Sequence, residues 1–311
     1  MVEAITQEAE DIKSFVLASA SGGELPRYSP GAHIDINVGP GVVRQYSLCG
    51  SPGDRSRYMI GVKREPQSRG GSEHMHARIR IGDRLEISVP KNNFELDETA
   101  KHSILLAGGI GITPLIAMAD RLLLSGKSFA LHYFSRSPQH TAFSERLSQP
   151  GFAGKVHMHY ALDVDAVRAE LENLLQIYGV DSHLYLCGPK PFMDMIETVA
   201  ARSWPSEAVH LEYFSGAALE GPTSSFEVRL ARTGGSYLVP DDRSIMEVLQ
   251  ENGVDVDYSC EQGVCGTCVT DVLEGEPDHR DLFLKPAERA ANTKMCLCVS
   301  RAKSLVLVLD M

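Results

Sequence analysis

The chain has 311 residues, a formal net charge of −11 at pH 7, and 43% hydrophobic and 23% charged residues, an ordinary globular composition that suggests two or three domains. No apolar run reaches the roughly 18 residues of a transmembrane helix, and the N-terminus lacks a basic segment followed by an apolar one, so we expect neither a membrane span nor a secretory signal. The acidic balance disfavours nucleic-acid binding, and seven cysteines, an odd number, favour a reducing cytoplasm over a disulfide framework.

Residues 1–98 have the pattern of a sheet-rich domain. Short β-prone runs, several of them alternating apolar and polar residues, are separated by turns rich in glycine, proline and serine. We interpret this region as a small antiparallel β-barrel. The predicted strands cover residues 14–17, 33–38, 58–62 and 84–89.

Two segments of this region predict a flavin site. Arg44-Gln45-Tyr46-Ser47-Leu48 follows one strand and offers a cation, a flat phenol and a small hydroxyl. Ser68-Arg69-Gly70-Gly71-Ser72 opens a short helix predicted over 73–79, and its backbone N–H groups suit a phosphate. Each segment alone fits a solvated strand residue or a plain turn better. Together, about 25 residues apart in one barrel, they indicate a flavin site.

Residues 99–214 alternate predicted strands and helices, which is typical of a parallel sheet with helices on both faces. The turn Gly108-Gly109-Ile110-Gly111-Ile112-Thr113-Pro114 joins a buried strand to a helix and predicts a pyrophosphate site, although it is not a G-x-G-x-x-G fingerprint. This turn and Cys187-Gly188-Pro189 both follow strands, at the sheet edge where ligands bind. The predicted strands are 103–107, 129–134, 155–160 and 183–187, and the helices 115–124, 141–147, 164–178 and 192–202.

Residues 215–225 are small and polar and are predicted to be an interdomain linker. Residues 226–311 form the third predicted domain. Its first two strands, 226–230 and 236–239, predict a hairpin around Thr233-Gly234-Gly235. A helix is predicted from Ser244 to Asn252, because Ser244 and Glu247 have the spacing of a capping box.

Three cysteines in this domain, Cys260, Cys265 and Cys268, have the spacing C-x4-C-x2-C, and Cys298 lies 30 residues beyond the third. Four thiolates with this spacing suit a plant-type [2Fe–2S] cluster. Zinc is the alternative, but zinc sites usually add a second C-x2-C pair or histidines. By spacing alone Cys296 could be the fourth ligand. We favour Cys298, because we expect the Cys296 side chain to point the other way along a strand.

The acidic excess per residue is greatest around these cysteines. Residues 226–311 contain 15 acidic and 9 basic side chains, a net charge of −6. This face is either a solubilising surface or one that steers a basic redox partner.

These segments together resemble the phthalate dioxygenase reductase family, which includes vanillate demethylase reductase components. The resemblance covers nearly the whole chain, and the order of flavin, nicotinamide and ferredoxin domains (1–98, 99–214 and 226–311) is itself specific. It rests on the flavin-strand segment, Gly70-Gly71-Ser72, the glycine turn from Gly108, Cys187-Gly188-Pro189, Glu212-Tyr213-Phe214, the cysteine loop and Cys298-Val299-Ser300-Arg301-Ala302.

The resemblance implies three cofactors: FMN, NADH and a [2Fe–2S] cluster. It places Phe214 over the flavin, where the nicotinamide must enter. It implies Arg44, Tyr46, Ser47, Leu48, Lys63, Gly71 and Ser72 at the flavin, Gly109, Gly111, Thr113, Ser135, Arg136, Cys187, Gly188 and Pro189 at the nucleotide, and Cys260, Cys265, Cys268 and Cys298 at the cluster. Arg136 could instead favour NADPH, and Cys187 could simply be a small buried apolar residue.

Electron counting gives the flavin its place. NADH releases two electrons as a hydride and a [2Fe–2S] cluster takes one at a time, so the flavin, which can do both, must lie between them. No strong acid or base is needed, and we predict no catalytic triad. The resemblance implies a monomeric NADH-dependent reductase that serves a demethylating or ring-hydroxylating Rieske-type oxygenase in aromatic catabolism. The alternatives are a reductase for another acceptor, such as a P450, and a non-catalytic iron–sulfur redox sensor.

Overall fold

The computed structural model describes residues 1–39, 42–66, 70–177, 181–216 and 224–311. The chain forms two compact units, Met1–Phe214 and Ser215–Met311. Most of the predicted linker, 217–223, lies outside the described residues, so the linker and the division into three domains stay predictions. Within the described ranges, no helix has both the length and the apolar character needed to cross a bilayer.

The first 98 residues form two three-stranded antiparallel sheets, ordered β1-β2-β5 and β4-β3-β6, which a Leu48–Ile60 bridge joins. Phe15, Ile34, Ile36 and Ile60 are fully buried between the sheets, as the predicted barrel requires. The elements are β1 (Val2–Ala9), β2 (Ile12–Ala18), β3 (His33–Gly39), β4 (Val42–Ser47), β5 (Arg57–Lys63), α1 (Gly71–Ala77) and β6 (Glu86–Ile87).

Three details of this barrel differ from the prediction. The strand predicted over 84–89 shrinks to β6, because the Ser88 hydroxyl accepts a hydrogen bond from the Asp35 backbone N–H at 3.0 Å and so replaces part of the ladder. Helix α1 begins at Gly71, two residues before the predicted start. Strand β1 was not predicted, because its polar residues obscure the alternation.

A five-stranded sheet follows, ordered β11-β10-β7-β8-β9 with all neighbours parallel, which confirms the predicted α/β architecture. Helix α2 packs in the core on one face and α4 and α5 on the other, so the central strand is apolar along its length. The elements are β7 (His102–Gly108), α2 (Ile112–Leu124), β8 (Ser128–Ser135), α3 (Ser144–Leu147), β9 (Val156–Tyr160), α4 (Val164–Ile177), β10 (Ser182–Cys187), α5 (Lys190–Ala200) and β11 (Val209–Glu212).

Three helices of this region begin at unexpected residues, and α5 is one of them, at Lys190 and not at the predicted 192. Helix α2 starts at Ile112, three residues early, so the glycine turn runs directly into it. Helix α3 starts at Ser144 and not at the predicted 141. The reason is local: Phe143 has a left-handed φ of 59°, and the Thr141 hydroxyl bonds the carbonyl of Ser137 at 2.9 Å.

The second unit contains a mixed sheet ordered β13-β12-β18-β14-β16, with β15 and β17 as a separate pair. The predicted hairpin is confirmed by the pairing of Val228 with Tyr237. The capping box is confirmed too, because Glu247 N donates to Ser244 Oγ at 3.1 Å and Ser244 N to Glu247 Oε2 at 2.8 Å. The elements are β12 (Phe226–Leu230), β13 (Ser236–Val239), α6 (Ile245–Glu251), β14 (Val269–Glu274), β15 (Pro277–Asp278), α7 (Pro286–Ala291), β16 (Lys294–Cys296), β17 (Arg301–Ala302) and β18 (Val306–Leu309).

Candidate cofactor sites

The two predicted parts of the flavin site lie side by side. Arg44 is on β4, and a Cβ added to Gly71 would come 2.5 Å from Arg44 Cγ, so the arginine stem covers the first residue of α1. Gly70, at the N-cap of α1, has a left-handed φ of 87°. The guanidinium and the helix start therefore form one candidate phosphate seat. Ser68 and Arg69, the remaining predicted parts of it, lie outside the described residues.

The other predicted flavin residues divide into side chains that face the core and side chains that bind neighbours. Leu48 is fully buried in the barrel core, so only its backbone is presented to a ligand. Lys63 Nζ lies 3.0 Å from Glu65 Oε2, and the Ser72 hydroxyl accepts the Glu65 N–H at 3.1 Å. Desolvation raises the pKa of Tyr46, so its phenol is neutral.

Ser47, the last residue of β4, contacts the parallel sheet directly. Its hydroxyl donates to Glu212 Oε2 at 3.3 Å, and Glu212 pairs in register with Cys187 on the neighbouring strand. The pKa of Glu212 is raised to about 8, because burial raises it more than the hydrogen bond from Ser47 lowers it. Glu212 was absent from the predicted site residues. Its only sign in the sequence was its place in Glu212-Tyr213-Phe214, which carried the resemblance.

The two turns predicted to bind the nucleotide pack against each other. A Cβ on Gly111 would lie 2.1 Å from the Cys187 carbonyl oxygen, and one on Gly108 would lie 2.9 Å from Pro189 Cδ. Gly109 differs from both: its φ is +54°, and a Cβ there would have no neighbour within 4 Å. The turn therefore has a tight inner side and an open outer side, on which a nucleotide phosphate has room.

The remaining predicted nucleotide residues have varied surroundings. Cys187 is fully buried, and burial raises the pKa of its thiol well above its usual range. Thr113 is buried, and its hydroxyl donates to the Ile110 carbonyl at 3.0 Å. The Ser135 hydroxyl lies 2.7 Å from that of Thr141. Arg136 and Phe214 are exposed, Phe214 with 39% of its surface.

The second unit brings the four predicted cluster ligands together. Cys268 Sγ lies 3.3 Å from Cys298 Sγ, and the Cys260 thiol is within hydrogen-bonding reach of those of Cys265 and Cys298. Hydrogen bonds between neighbouring thiols lower the pKa of Cys260 and of Cys268 and raise that of Cys265 and of Cys298, so these sulfurs compete for protons within one small space. Gly266 has a φ of +75°, and a Cβ there would meet the Phe283 ring at 2.2 Å. The soft sulfur donors fit an iron–sulfur cluster.

The reason we gave for preferring Cys298 over Cys296 is wrong. Residues two apart on one strand point to the same face, so strand alternation cannot separate them. Strand β16 ends at Cys296, and Cys298 lies in the following turn. There the Cys298 thiol reaches both Cys260 and Cys268, whereas that of Cys296, fully buried, reaches Cys268.

Comparisons with known proteins agree with this architecture. The family described as the 2Fe-2S iron-sulfur cluster binding domain matches residues 228–303. The vanillate O-demethylase oxidoreductase of Pseudomonas sp. (strain HR199 / DSM 7063) is 44% identical, over 100% of this chain and 99% of that protein.

Two solved structures are also similar over the whole chain. The structure of phthalate dioxygenase reductase, described as modular for electron transfer from pyridine nucleotides to [2Fe-2S], is 40% identical with a TM-score of 0.78, over 100% of this chain and 96% of that one. An intact type IV self-sufficient cytochrome P450 monooxygenase is 36% identical with a TM-score of 0.86, but the match covers only 40% of that longer chain.

These findings confirm the predicted fold class, the oxidoreductase activity and the [2Fe–2S] domain, and the phthalate dioxygenase reductase that matches transfers electrons from pyridine nucleotides. They also confirm that the relatives are oxidoreductase components of oxygenase systems. The chain therefore belongs to the phthalate dioxygenase reductase family of flavin- and iron–sulfur-containing oxidoreductases.

Proposed function

We propose that this oxidoreductase supplies electrons from NADH to a Rieske-type oxygenase of the demethylating or ring-hydroxylating kind. The observation that carries the proposal is the full-length similarity to a vanillate O-demethylase oxidoreductase, with 44% identity over the whole chain. The packed glycine turn and the four clustered thiols of this chain support it, because a non-catalytic sensor would need no such nucleotide turn.

We assign the binding roles as follows. Arg44, with the backbone at Gly71 and Ser72, holds the FMN phosphate, while Tyr46, Ser47, Leu48 and Lys63 border its ring. Gly109, Gly111 and Thr113 hold the pyrophosphate of NADH beside Cys187, Gly188 and Pro189, and Ser135 and Arg136 lie toward its ribose. Phe214 covers the flavin, and Cys260, Cys265, Cys268 and Cys298 bind the cluster.

The chain's own contribution is orientation. Bound FMN supplies the conversion of a two-electron hydride transfer into two one-electron transfers. The Ser47–Glu212 hydrogen bond fixes the end of the flavin strand against the carboxyl edge of the nucleotide sheet. Below about pH 8 Glu212 keeps its proton, so this junction carries no uncompensated charge. The buried Cys187 thiol is likewise neutral.

A second acceptor class has an observation in its favour. In the self-sufficient P450 monooxygenase, a region 36% identical to this chain makes up 40% of a longer protein. A P450 is therefore the alternative acceptor. A monomeric state and a cytoplasmic location stay predictions.

The experiment mixes NADH-reduced protein anaerobically with a purified Rieske oxygenase, such as a vanillate demethylase oxygenase component, and follows reoxidation of the flavin and cluster by stopped-flow absorption. A bacterial P450 is the matched alternative acceptor. Rapid reoxidation by the Rieske protein and slow reoxidation by the P450 would support the proposal, and the reverse order would refute it. If NADH bleached neither the flavin nor the cluster absorption, the hypothesis of an NADH-dependent reductase would itself be refuted.

A further inference from the structure

Three histidines and one glutamate cluster at the β9 edge of the parallel sheet, among residues that have no role in the proposed electron path. His132 on β8 pairs in register with His157 on β9, and His159 lies two residues further along β9. Their side chains share the sheet face that α4 covers, and Glu170 of α4 approaches from above.

The distances inside this cluster are short. His132 Nδ1 lies 3.0 Å from His159 Nε2, and His159 Nδ1 lies 3.9 Å from Glu170 Oε1. The His157 ring stacks on that of His132 with centroids 4.6 Å apart. One ligand atom from each of His132, His159 and Glu170 lies within 4.8 Å of the others.

His132 is 4% exposed, and its Nε2 atom has no hydrogen-bond partner among the described residues. A buried polar atom without a partner is uncommon, because its desolvation is not repaid. Among the described residues, the ring has one hydrogen bond, to His159, and its Nε2 atom is available to a ligand.

We propose that His132, His159 and Glu170 bind a divalent transition-metal ion of the zinc type. Two imidazoles and a carboxylate are the donors of such sites, whereas calcium and magnesium prefer oxygen ligands alone. Zinc ligands lie about 2.0–2.2 Å from the ion. The nitrogen atoms of His132 and His159 that contact each other are 3.0 Å apart, and His159 Nδ1 is 3.9 Å from Glu170 Oε1, so the donors must shift to enclose an ion. Three protein ligands leave the fourth position for water or for His157.

Such an ion would tie helix α4 to the hydrogen-bonded strands β8 and β9. A series of aromatic ring contacts connects this histidine cluster to the nucleotide turn. His159 stacks on Phe134 at 4.3 Å with an interplanar angle of 9°, and Phe134 contacts Phe192 at 5.3 Å. Phe192 in turn lies 2.8 Å from where a Cβ of Gly188 would be. We therefore expect the ion to stabilise the nucleotide-binding sheet without taking part in electron transfer.

The test uses the holoprotein, so that iron occupies the cysteine loop, and titrates it with Zn²⁺ by calorimetry. Wild-type protein is compared with Glu170→Gln and His159→Gln. Glu172→Gln is the matched control, because Glu172 lies on the same helix but pairs with Arg202 at 3.0 Å. Zinc X-ray absorption on the one-equivalent complex then identifies the ligand atoms, since iron does not contribute at that edge.

We expect one Zn²⁺ per chain with nitrogen and oxygen ligands at about 2.0–2.1 Å and a raised thermal midpoint. Affinity should fall at least about 10-fold in Glu170→Gln and His159→Gln, since even a partner outside the ligand shell is worth about 10–100-fold. Glu172→Gln should bind as wild type does. Sulfur ligands near 2.3 Å, which would mean zinc in the cysteine loop, overturn the proposal. So does wild-type affinity in Glu170→Gln, or absence of binding in the unmodified holoprotein.

Discussion

The Ser47 hydroxyl donates a hydrogen bond to Glu212 Oε2 at 3.3 Å, although 165 positions separate the two residues in the chain. Ser47 ends a barrel strand, and Glu212 ends the edge strand of the parallel sheet beside Cys187. The bond thus joins the predicted flavin strand to the edge at which nucleotides bind such sheets. Hydride transfer requires the two cofactors to meet, and this junction is where the first unit brings their predicted binding elements together.

Replacing Glu212 by Gln should change how stability depends on pH. The pKa of Glu212 is raised from its ordinary 4.5 to about 8, so between these values the folded protein keeps a proton that the unfolded chain releases. Wild-type stability should therefore fall as pH rises through this window. At about pH 9 we expect Glu212→Gln to be more stable than wild type by on the order of 2–4 kcal/mol, and at about pH 4 to differ little.

The measurement is calorimetric unfolding of flavin-depleted protein at several pH values. Ser47→Ala serves as the companion variant. This variant keeps Glu212 but loses the hydrogen bond that favours its charged carboxylate, so the pKa of Glu212 should rise further. Parallel pH profiles for wild type and Glu212→Gln would contradict the assigned shift.

Replacing Arg44 by Ala should release flavin. A charge-assisted hydrogen bond to a phosphate contributes about 1.5–3 kcal/mol, which corresponds to roughly 10–100-fold in affinity. Flavin fluorescence during dilution measures the dissociation constant. Arg57→Ala is the control, because Arg57 lies on β5 of the same barrel and pairs with Glu3 at the surface. Unchanged flavin affinity in Arg44→Ala would remove Arg44 from the site.

Gly111→Ala should damage the nucleotide turn more than Gly109→Ala. A methyl group at Gly111 would collide with the Cys187 carbonyl oxygen, a backbone atom that cannot move aside cheaply. At Gly109 the space is open, and the cost is confined to the left-handed φ, about 1–2 kcal/mol. We expect Gly111→Ala to lower the thermal midpoint more and to raise the KM for NADH more. Steady-state kinetics at several NADH concentrations would show it, and equal effects would speak against the tight inner side of the turn.

Replacing Cys298 by Ser should abolish the iron–sulfur absorption while flavin stays bound. The Cys298 thiol reaches both Cys260 and Cys268, a position from which it can complete the ligand set. Cys296→Ser should retain the cluster. The Cys296 thiol lies in the core, and Cys268 is the loop cysteine within its hydrogen-bonding reach. Iron analysis and electron paramagnetic resonance of the reduced proteins give the result. A cluster retained in Cys298→Ser and lost in Cys296→Ser would reverse the assignment.

Local patterns predicted the elements that depend on neighbours in the chain. Ser244 and Glu247 predicted a helix start because a capping box uses atoms three residues apart. The continuous apolar run of β7 predicted a strand buried on both faces. The cysteine spacing predicted the cluster ligands as a group, because three of the four lie within nine residues of each other. Helix α3 was mispredicted where the left-handed Phe143 interrupts an otherwise suitable sequence.

The sequence by itself thus determined the element types and the cysteine spacing of a [2Fe–2S] site, since these rest on short-range geometry. FMN, NADH and the domain order came from the resemblance to a known family. Only the tertiary structure decided which distant groups meet. Glu212 became a site residue because β11 lies beside β10 and ends next to Ser47. Strand register and helix packing likewise brought His132, His159 and Glu170 within 4.8 Å. Such contacts depend on the packing of whole elements, which no local pattern encodes.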